Sequence, residues 1–252
     1  MASSQTVVAV AVENRLEDPL AYLPCSSIVE HKKGQLIYHQ DQPSTSIYLV
    51  IDGRVKVARL ANNGRQTIVD IYRTDDFFGE SVLLGLRRRP EQAIALENTR
   101  LMAWTAEEID EIAQMRPKLA IALLQIVVQR SLEYGHRIES FSIDDTGRRL
   151  ARTLIRFSQR LGVAEPDGSY RMEPFTHELL AQYVGTSREI VTHCMNLFRR
   201  QGYLRYSRQG IVLYRDAFDA WLCRTSTHAV KARQAPRAAG GQSVDTAALK
   251  RA

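Results

Sequence analysis

The chain has 252 residues, 44% of them hydrophobic and 25% charged, an ordinary balance for a globular protein of one or two domains. Its longest apolar run, Leu119 to Val128, is interrupted by Gln125 and falls short of the roughly 20 residues that span a bilayer, so no membrane partner is expected. The net charge of +6 is unevenly divided: residues 1–145 hold 16 Lys/Arg against 20 Asp/Glu, residues 146–223 hold 12 against 7, and residues 224–252 hold 6 against 1. An acidic front joined to a basic back fits a sensor or scaffold attached to a module that grips a polyanion.

Residues 1–18 are expected to be disordered; their apolar stretch has no basic residue ahead of it and makes a poor signal peptide. Cys25, Cys194 and Cys223 are too few and too scattered for a disulfide framework or a zinc site. These features favour the cytoplasm. Between 19 and 105 the chain carries short β-rich runs such as Ser46–Ile51, Arg54–Ala58 and Gln66–Tyr72. Turn signals at Lys33-Gly34, Asp52-Gly53 and Asn62-Asn63-Gly64 separate them, which predicts an antiparallel barrel or jelly roll. Helical pattern begins near Ala106. From Pro117 to Phe141, the positions Ala120, Leu124, Val127, Ser131, Tyr134, Ile138 and Phe141 alternate steps of four and three. Such a heptad seam predicts pairing of two subunits through the helical region 106–143. Asp144-Asp145-Thr146-Gly147 reads as a hinge, and Arg148–Leu161 as the first helix of a domain over 144–223. The tail 224–252, rich in Ala, Gly, Gln and basic residues, is expected to be disordered.

Thr176–Leu204 reads as two short helices broken at Gly185. Ala181, Gly185 and Val191 meet three separate needs of a helix-turn-helix: a small residue at the crossing, a glycine at the turn and an aliphatic residue returning to the core. Leu180, Val184, Ile190 and Cys194 fill further apolar positions, and Thr176 and Ser187 stand where helix N-caps belong. Two strand-like runs around Gln209-Gly210 follow and predict a wing. The start of the second helix offers Arg188, Glu189, Thr192 and His193 to a DNA groove. Thr176, Ser187, Arg199, Arg200, Arg205 and Arg208 are candidates for phosphate contacts.

Four motifs in order, Asp52-Gly53-Arg54-Val55-Lys56-Val57, Asp75-Asp76-Phe77-Phe78-Gly79-Glu80, Asp144-Asp145-Thr146-Gly147-Arg148 and Ser187-Arg188-Glu189-Ile190-Val191, resemble the Crp/Fnr family of bacterial transcription regulators. The resemblance covers about residues 20–222. It implies an α+β chain: an N-terminal antiparallel β-roll like those of cyclic-nucleotide-binding domains, a long dimerisation helix and a C-terminal winged helix-turn-helix. It further implies a homodimer on palindromic double-stranded DNA, with RNA polymerase as partner if the protein activates. Arg188 and Glu189 would read base edges, as an arginine fork fits guanine and a carboxylate accepts from cytosine. Many members carry a second arginine where this chain has His193.

In the members that bind cyclic AMP, a Gly-Glu turn, here Gly79-Glu80 with Ser81 beside it, is followed about ten residues later by Arg-Ser. This chain has Glu91-Gln92 there, and Glu133 and Tyr134 at the helix positions that would meet adenine. A carboxylate facing a phosphodiester repels it, so cyclic AMP is not expected in the usual mode. Arg87, Arg88 and Arg89 share the loop and could serve another anionic effector, a polymerase or DNA contact, or a solvated tip. The effector is left unidentified. Iron–sulfur members need four cysteines, and only Cys25 lies near the N-terminus, so no such cofactor is expected; a haem ligand among Cys25, His31 and His39 stays open. A signalling adaptor working through protein partners would not need the winged module. A jelly-roll metalloenzyme would need clustered histidines, and His31 and His39 are isolated.

Overall fold

The computed structural model describes residues 16–234, with 225–234 as helix backbone only. The expected disorder at 1–15 and 235–252 lies outside the described residues. Leu16–Asp18, expected to be disordered, are placed by the fold: the Glu17 backbone N–H donates to Gln125 Oε1 at 2.8 Å.

Eight strands make the front half: β1 (Ile28–His31), β2 (Leu36–Tyr38), β3 (Ser46–Asp52), β4 (Val55–Leu60), β5 (Gln66–Tyr72), β6 (Phe77–Phe78), β7 (Gln92–Ala95) and β8 (Thr99–Thr105). They form two antiparallel four-stranded sheets, ordered β1-β8-β3-β6 and β2-β7-β4-β5. The three β-rich runs noted in the sequence are β3, β4 and β5. Val50, Val55, Val57, Tyr72, Phe78 and Leu101 fill the space inside the roll. Ile47, Leu49, Phe77 and Trp104 instead meet the helices that follow.

Helix α1 (Ala106–Met115) opens with a reciprocal cap between Thr105 and Glu108. Helix α2 (Lys118–Ile143) runs for 26 residues and buries Leu119, Ala122 and Leu123, of which Leu119 and Leu123 share a core with Ile47, Leu49, Phe77 and Trp104 of the roll. Of the heptad positions, Leu124, Val127, Ile138 and Phe141 are 43–66% exposed, and Ala120 and Ser131 are exposed as well. Tyr134 alone among them is half-buried, bonded to Tyr72 of the roll. A helix with one packed face and one bare apolar face has a second surface to cover.

The hinge is shorter than the sequence suggested. Asp144 ends α2, Asp145 caps α3 (Thr146–Leu161) by accepting from the Arg148 backbone N–H, and Thr146-Gly147 are already helical. Then come β9 (Val163–Ala164), β10 (Tyr170–Met172), α4 (His177–Val184), α5 (Arg188–Arg200), β11 (Leu204–Ser207), β12 (Gly210–Leu213) and α6 (Arg215–Gln234). The wing is therefore part of a four-stranded sheet, β11-β12-β10-β9, of which β9 and β10 carried no clear sequence signal. Ser207 pairs with Gly210, which moves the wing turn back one residue to Arg208-Gln209. Helix α6 continues to Gln234, which corrects the expectation of disorder for Arg224–Gln234.

Candidate nucleic-acid interface and effector pocket

Local chemistry builds the reading head. The Thr176 hydroxyl accepts from the Leu179 N–H at 3.1 Å and caps α4. Gly185 ends α4 at φ 73°, a left-handed conformation that costs glycine nothing. A Cβ there would also stand 2.9 Å from Phe141 Cε1. The Ser187 hydroxyl accepts from the Ile190 N–H and caps α5. Leu180, Ala181, Val184, Val191, Cys194, Met195 and Phe198 pack with Leu150, Leu154 and Phe157 of α3 into one core. Ile190, expected among them, is 45% exposed, because the outer face of α5 begins there.

Arg188, Glu189 and His193 are exposed on α5 and Thr192 is half-buried. The Glu189 backbone N–H and the Ser187 hydroxyl bond its carboxylate and hold its pKa below the ordinary 4.5, so it is an acceptor at neutral pH. Thr176 at the start of α4, Arg199 and Arg200 in the last turn of α5, and Arg205 and Arg208 on the wing are exposed as well. Arg199 lies 5.3 Å from the Tyr206 ring and Arg205 5.8 Å from that of Tyr214.

The basic excess of residues 146–223 is not all aimed outward, which corrects the simplest reading of the charge split. Arg148, Arg152, Arg156 and Arg160 recur every four residues on one face of α3. Arg148 and Arg152 bond Asp144 at 2.9 and 2.7 Å. Arg156 reaches Asp70 at 3.2 Å and also Glu133, while Arg160 reaches Asp70 at 2.7 Å and Asp76 at 2.9 Å. Asp70 is 1% exposed. Arg137 adds bonds to the Ile68, Val69 and Tyr183 carbonyls, and Ile68 and Ile71 of β5 join the core of the C-terminal domain. The two halves of the chain are thus docked through an ionic cluster and an apolar one.

Inside the roll, Gly79 at φ 81° turns the chain toward Glu80. Arg89 is 1% exposed; it donates to the Gly79 carbonyl at 2.7 Å, to the Ser46 carbonyl, and to Ser81 Oγ at 3.4 Å. Its guanidinium lies 4.4 Å from the Tyr38 ring and 5.7 Å from that of Tyr48. Tyr38 and Tyr48 stack on each other and on Phe78, and Tyr72 stacks on the same Phe78 ring. Arg89 Nε and the Tyr38 hydroxyl are buried without a hydrogen-bond partner among the described residues. The arginine triplet therefore splits. Arg87 and Arg88 are exposed, Arg88 donating to the Asp41 carbonyl at 2.6 Å, while Arg89 turns inward.

Glu80 pairs with Arg130 of α2 at 2.8 Å, and Arg130 also lies 4.7 Å from the Tyr72 ring. Arg130 was not singled out from the sequence, although its spacing of four from Tyr134 places both on one helix face. Glu91 is half-buried, and burial together with the charge of Glu80 raises its pKa above the ordinary 4.5. Gln92 is spent in the sheet, opposite Ala58. Tyr134 stays beside Tyr72, but Glu133 turns to α3 and pairs with Arg156, which removes it from the pocket set. Cys25 and His39 are exposed, and His31 is half-buried, its Nδ1 without a hydrogen-bond partner among the described residues.

Comparison with known proteins fits this two-part architecture. Residues 28–116 match the cyclic nucleotide-binding domain, and residues 148–219 match the Crp-like helix-turn-helix domain. A CRP-like cAMP-activated global transcriptional regulator of Mycobacterium tuberculosis is 25% identical over 185 residues, covering 73% of this chain and 83% of that protein. A global nitrogen regulator of Synechococcus elongatus is 27% identical over 189 residues, covering 74% and 85%. FixK2 from Bradyrhizobium japonicum shares the fold with a TM-score of 0.70 at 22% identity, covering 78% of this chain and 97% of that one. A CRP/FNR-family transcriptional regulator from Thermus thermophilus superposes with a TM-score of 0.64 at 27% identity, covering 79% and 98%. With both domains matched in the family's order on a shared architecture, this chain belongs to the Crp/Fnr family of DNA-binding transcription regulators.

Proposed function

We propose that this regulator reads a palindromic DNA site as a homodimer and does not take cyclic AMP in the usual mode. The observation that carries the DNA reading is the first turn of α5, where Arg188 and ionised Glu189 stand exposed beside a basic wing. Arg188 suits guanine and Glu189 suits cytosine, while His193 is shorter than an arginine and changes the inner half-site. Arg205 and Arg208 on the wing, with Arg199 and Arg200, suit the phosphate backbone. The exposed seam Leu124, Val127, Ile138 and Phe141 supports pairing through α2, which would give two recognition helices their spacing. A DNA reader of this kind works in the cytoplasm.

The reading of the β-roll rests on Arg89 and Glu91. Arg89 already spends its terminal nitrogens on protein acceptors among stacked aromatics, and Glu91 sets a carboxyl where a phosphate would need a cation. Calorimetry with cyclic AMP is expected to show no binding; micromolar affinity would overturn this part. The DNA reading is tested by gel shifts on selected operator duplexes. Arg188→Ala is expected to cost about 1–3 kcal/mol and relax preference at one base pair, while Arg205→Ala weakens all sequences alike. Equal, sequence-independent losses from both would sink the assignment.

A further inference from the structure

Three elements of the reading head meet at a side chain that no sequence motif singled out. His177 is the first residue of α4, and its Nδ1 lies 2.8 Å from Oγ1 of Thr192 on α5. The same Oγ1 lies 2.8 Å from the Arg188 carbonyl oxygen. The imidazole also packs edge-on against Tyr206 of β11, with ring centroids 5.6 Å apart at 64°. Tyr206 donates from its hydroxyl to Asn196 Oδ1 at 3.1 Å, which ties the wing back to α5.

Counting protons decides the direction of these bonds. Thr192 has a single hydroxyl hydrogen, and a carbonyl can only accept, so the hydroxyl donates to Arg188. Nδ1 is then the donor to Oγ1, which assigns His177 the Nδ1–H tautomer. Burial and the nearby positive charge of Arg188 lower the imidazole pKa below 6.5, which agrees with a neutral ring. Thr192, expected as a base reader, has therefore committed its only hydroxyl hydrogen. It can offer a base its methyl group, which suits the thymine methyl.

The core between α4 and α5 is apolar, and apolar contacts tolerate small rotations of one helix against another. A directional bond at the rim does not. We propose that His177 is a positioning residue for DNA reading. Its Nδ1–H fixes Thr192 and, through the Thr192–Arg188 bond, the rotation of the first turn of α5 relative to α4 and the wing. The proposal rests on the DNA reading given above.

The test uses the full chain in three forms, wild type, His177→Ala and His177→Asn, because an asparagine Nδ2–H can replace the imidazole donor. Long-range proton–nitrogen NMR on the wild type is expected to show the Nδ1–H tautomer at neutral pH. In selections from randomised duplexes, His177→Ala is expected to lose about fivefold to tenfold of its discrimination at the pairs facing Arg188 and Thr192. Its affinity for unrelated duplex should be unchanged, and His177→Asn should restore most of the discrimination. An Nε2–H tautomer, undiminished discrimination by His177→Ala, or no recovery in His177→Asn overturns the positioning role alone. A wild-type chain that selects no sequence overturns the DNA reading and the proposal with it.

Discussion

Two buried aspartates hold the two ends of α3, and they do different jobs with the same chemistry. Asp144 precedes the helix and takes Arg148 and Arg152, one and two turns into it, with the Ser140 hydroxyl as a third donor at 2.7 Å. Asp70 comes from β5 of the roll and takes Arg156 and Arg160, with bonds spanning 86 and 90 residues. The first cluster is local and shapes the joint itself. The second crosses between domains and sets the pose of the reading head on the roll. A stripe of identical arginines can thus be a joint at one end and a clamp at the other, depending only on where the carboxylate originates.

The largest effect is expected at the clamp. Asp70→Ala leaves two arginines without their shared anion in a buried site, which costs about 3–5 kcal/mol by urea denaturation. It should also broaden the unfolding transition, because the docking between the domains is then left to the apolar contact of β5 and to the Arg137, Glu133 and Asp76 bonds. A transition of unchanged width and stability would remove the distinction between the two aspartates. At the joint, Asp144→Ala is expected to cost about 2 kcal/mol, with unfolding still cooperative, since the Asp70 clamp remains.

The Asp144 loss depends on pH, and its sign follows from the carboxyl. Burial raises the Asp144 pKa, but hydrogen bonds from Arg148 and Ser140 and the charge of Arg152 outweigh it, and the net value lies below the ordinary 3.8. Its stabilisation is therefore complete above 3.8 and fades as the pH falls through the lower folded-state value. Wild type and Asp144→Ala should converge in stability on acidification; a gap that widens below pH 3.8 would reverse the assignment. The smallest effect is expected for Arg152→Ala, about 0.5 kcal/mol, because that side chain is 51% exposed and water screens the pair.

The sequence made the reading head legible because its signals are local. Thr176, Gly185 and Ser187 each answer a need of the backbone within a few residues, and the structure uses them as caps and turn. The strands β3 to β5 were visible for the same reason. The Asp70 cluster was not, since nothing local tells a basic helix face bound for DNA from one bound for a carboxylate 86 residues away. Nor could the inward turn of Arg89 be told from its exposed neighbours, because three successive arginines in a loop carry no periodicity. The helix at Arg224–Gln234 was missed because its composition resembles that of a solvated tail.

Gly185 has a mechanical consequence. The ring of Phe141 sits where a side chain on that glycine would be, while Phe141 is also 44% exposed on the seam of α2 and lies under the Arg149 guanidinium at 5.2 Å. One aromatic ring therefore sits between α2 and the turn that precedes the recognition helix. A side chain at residue 185 would meet that ring at 2.9 Å, so the space between α2 and the turn has room for the ring and a bare backbone only. A partner that covered the exposed edge of Phe141 would touch the same ring that abuts the turn leading into α5.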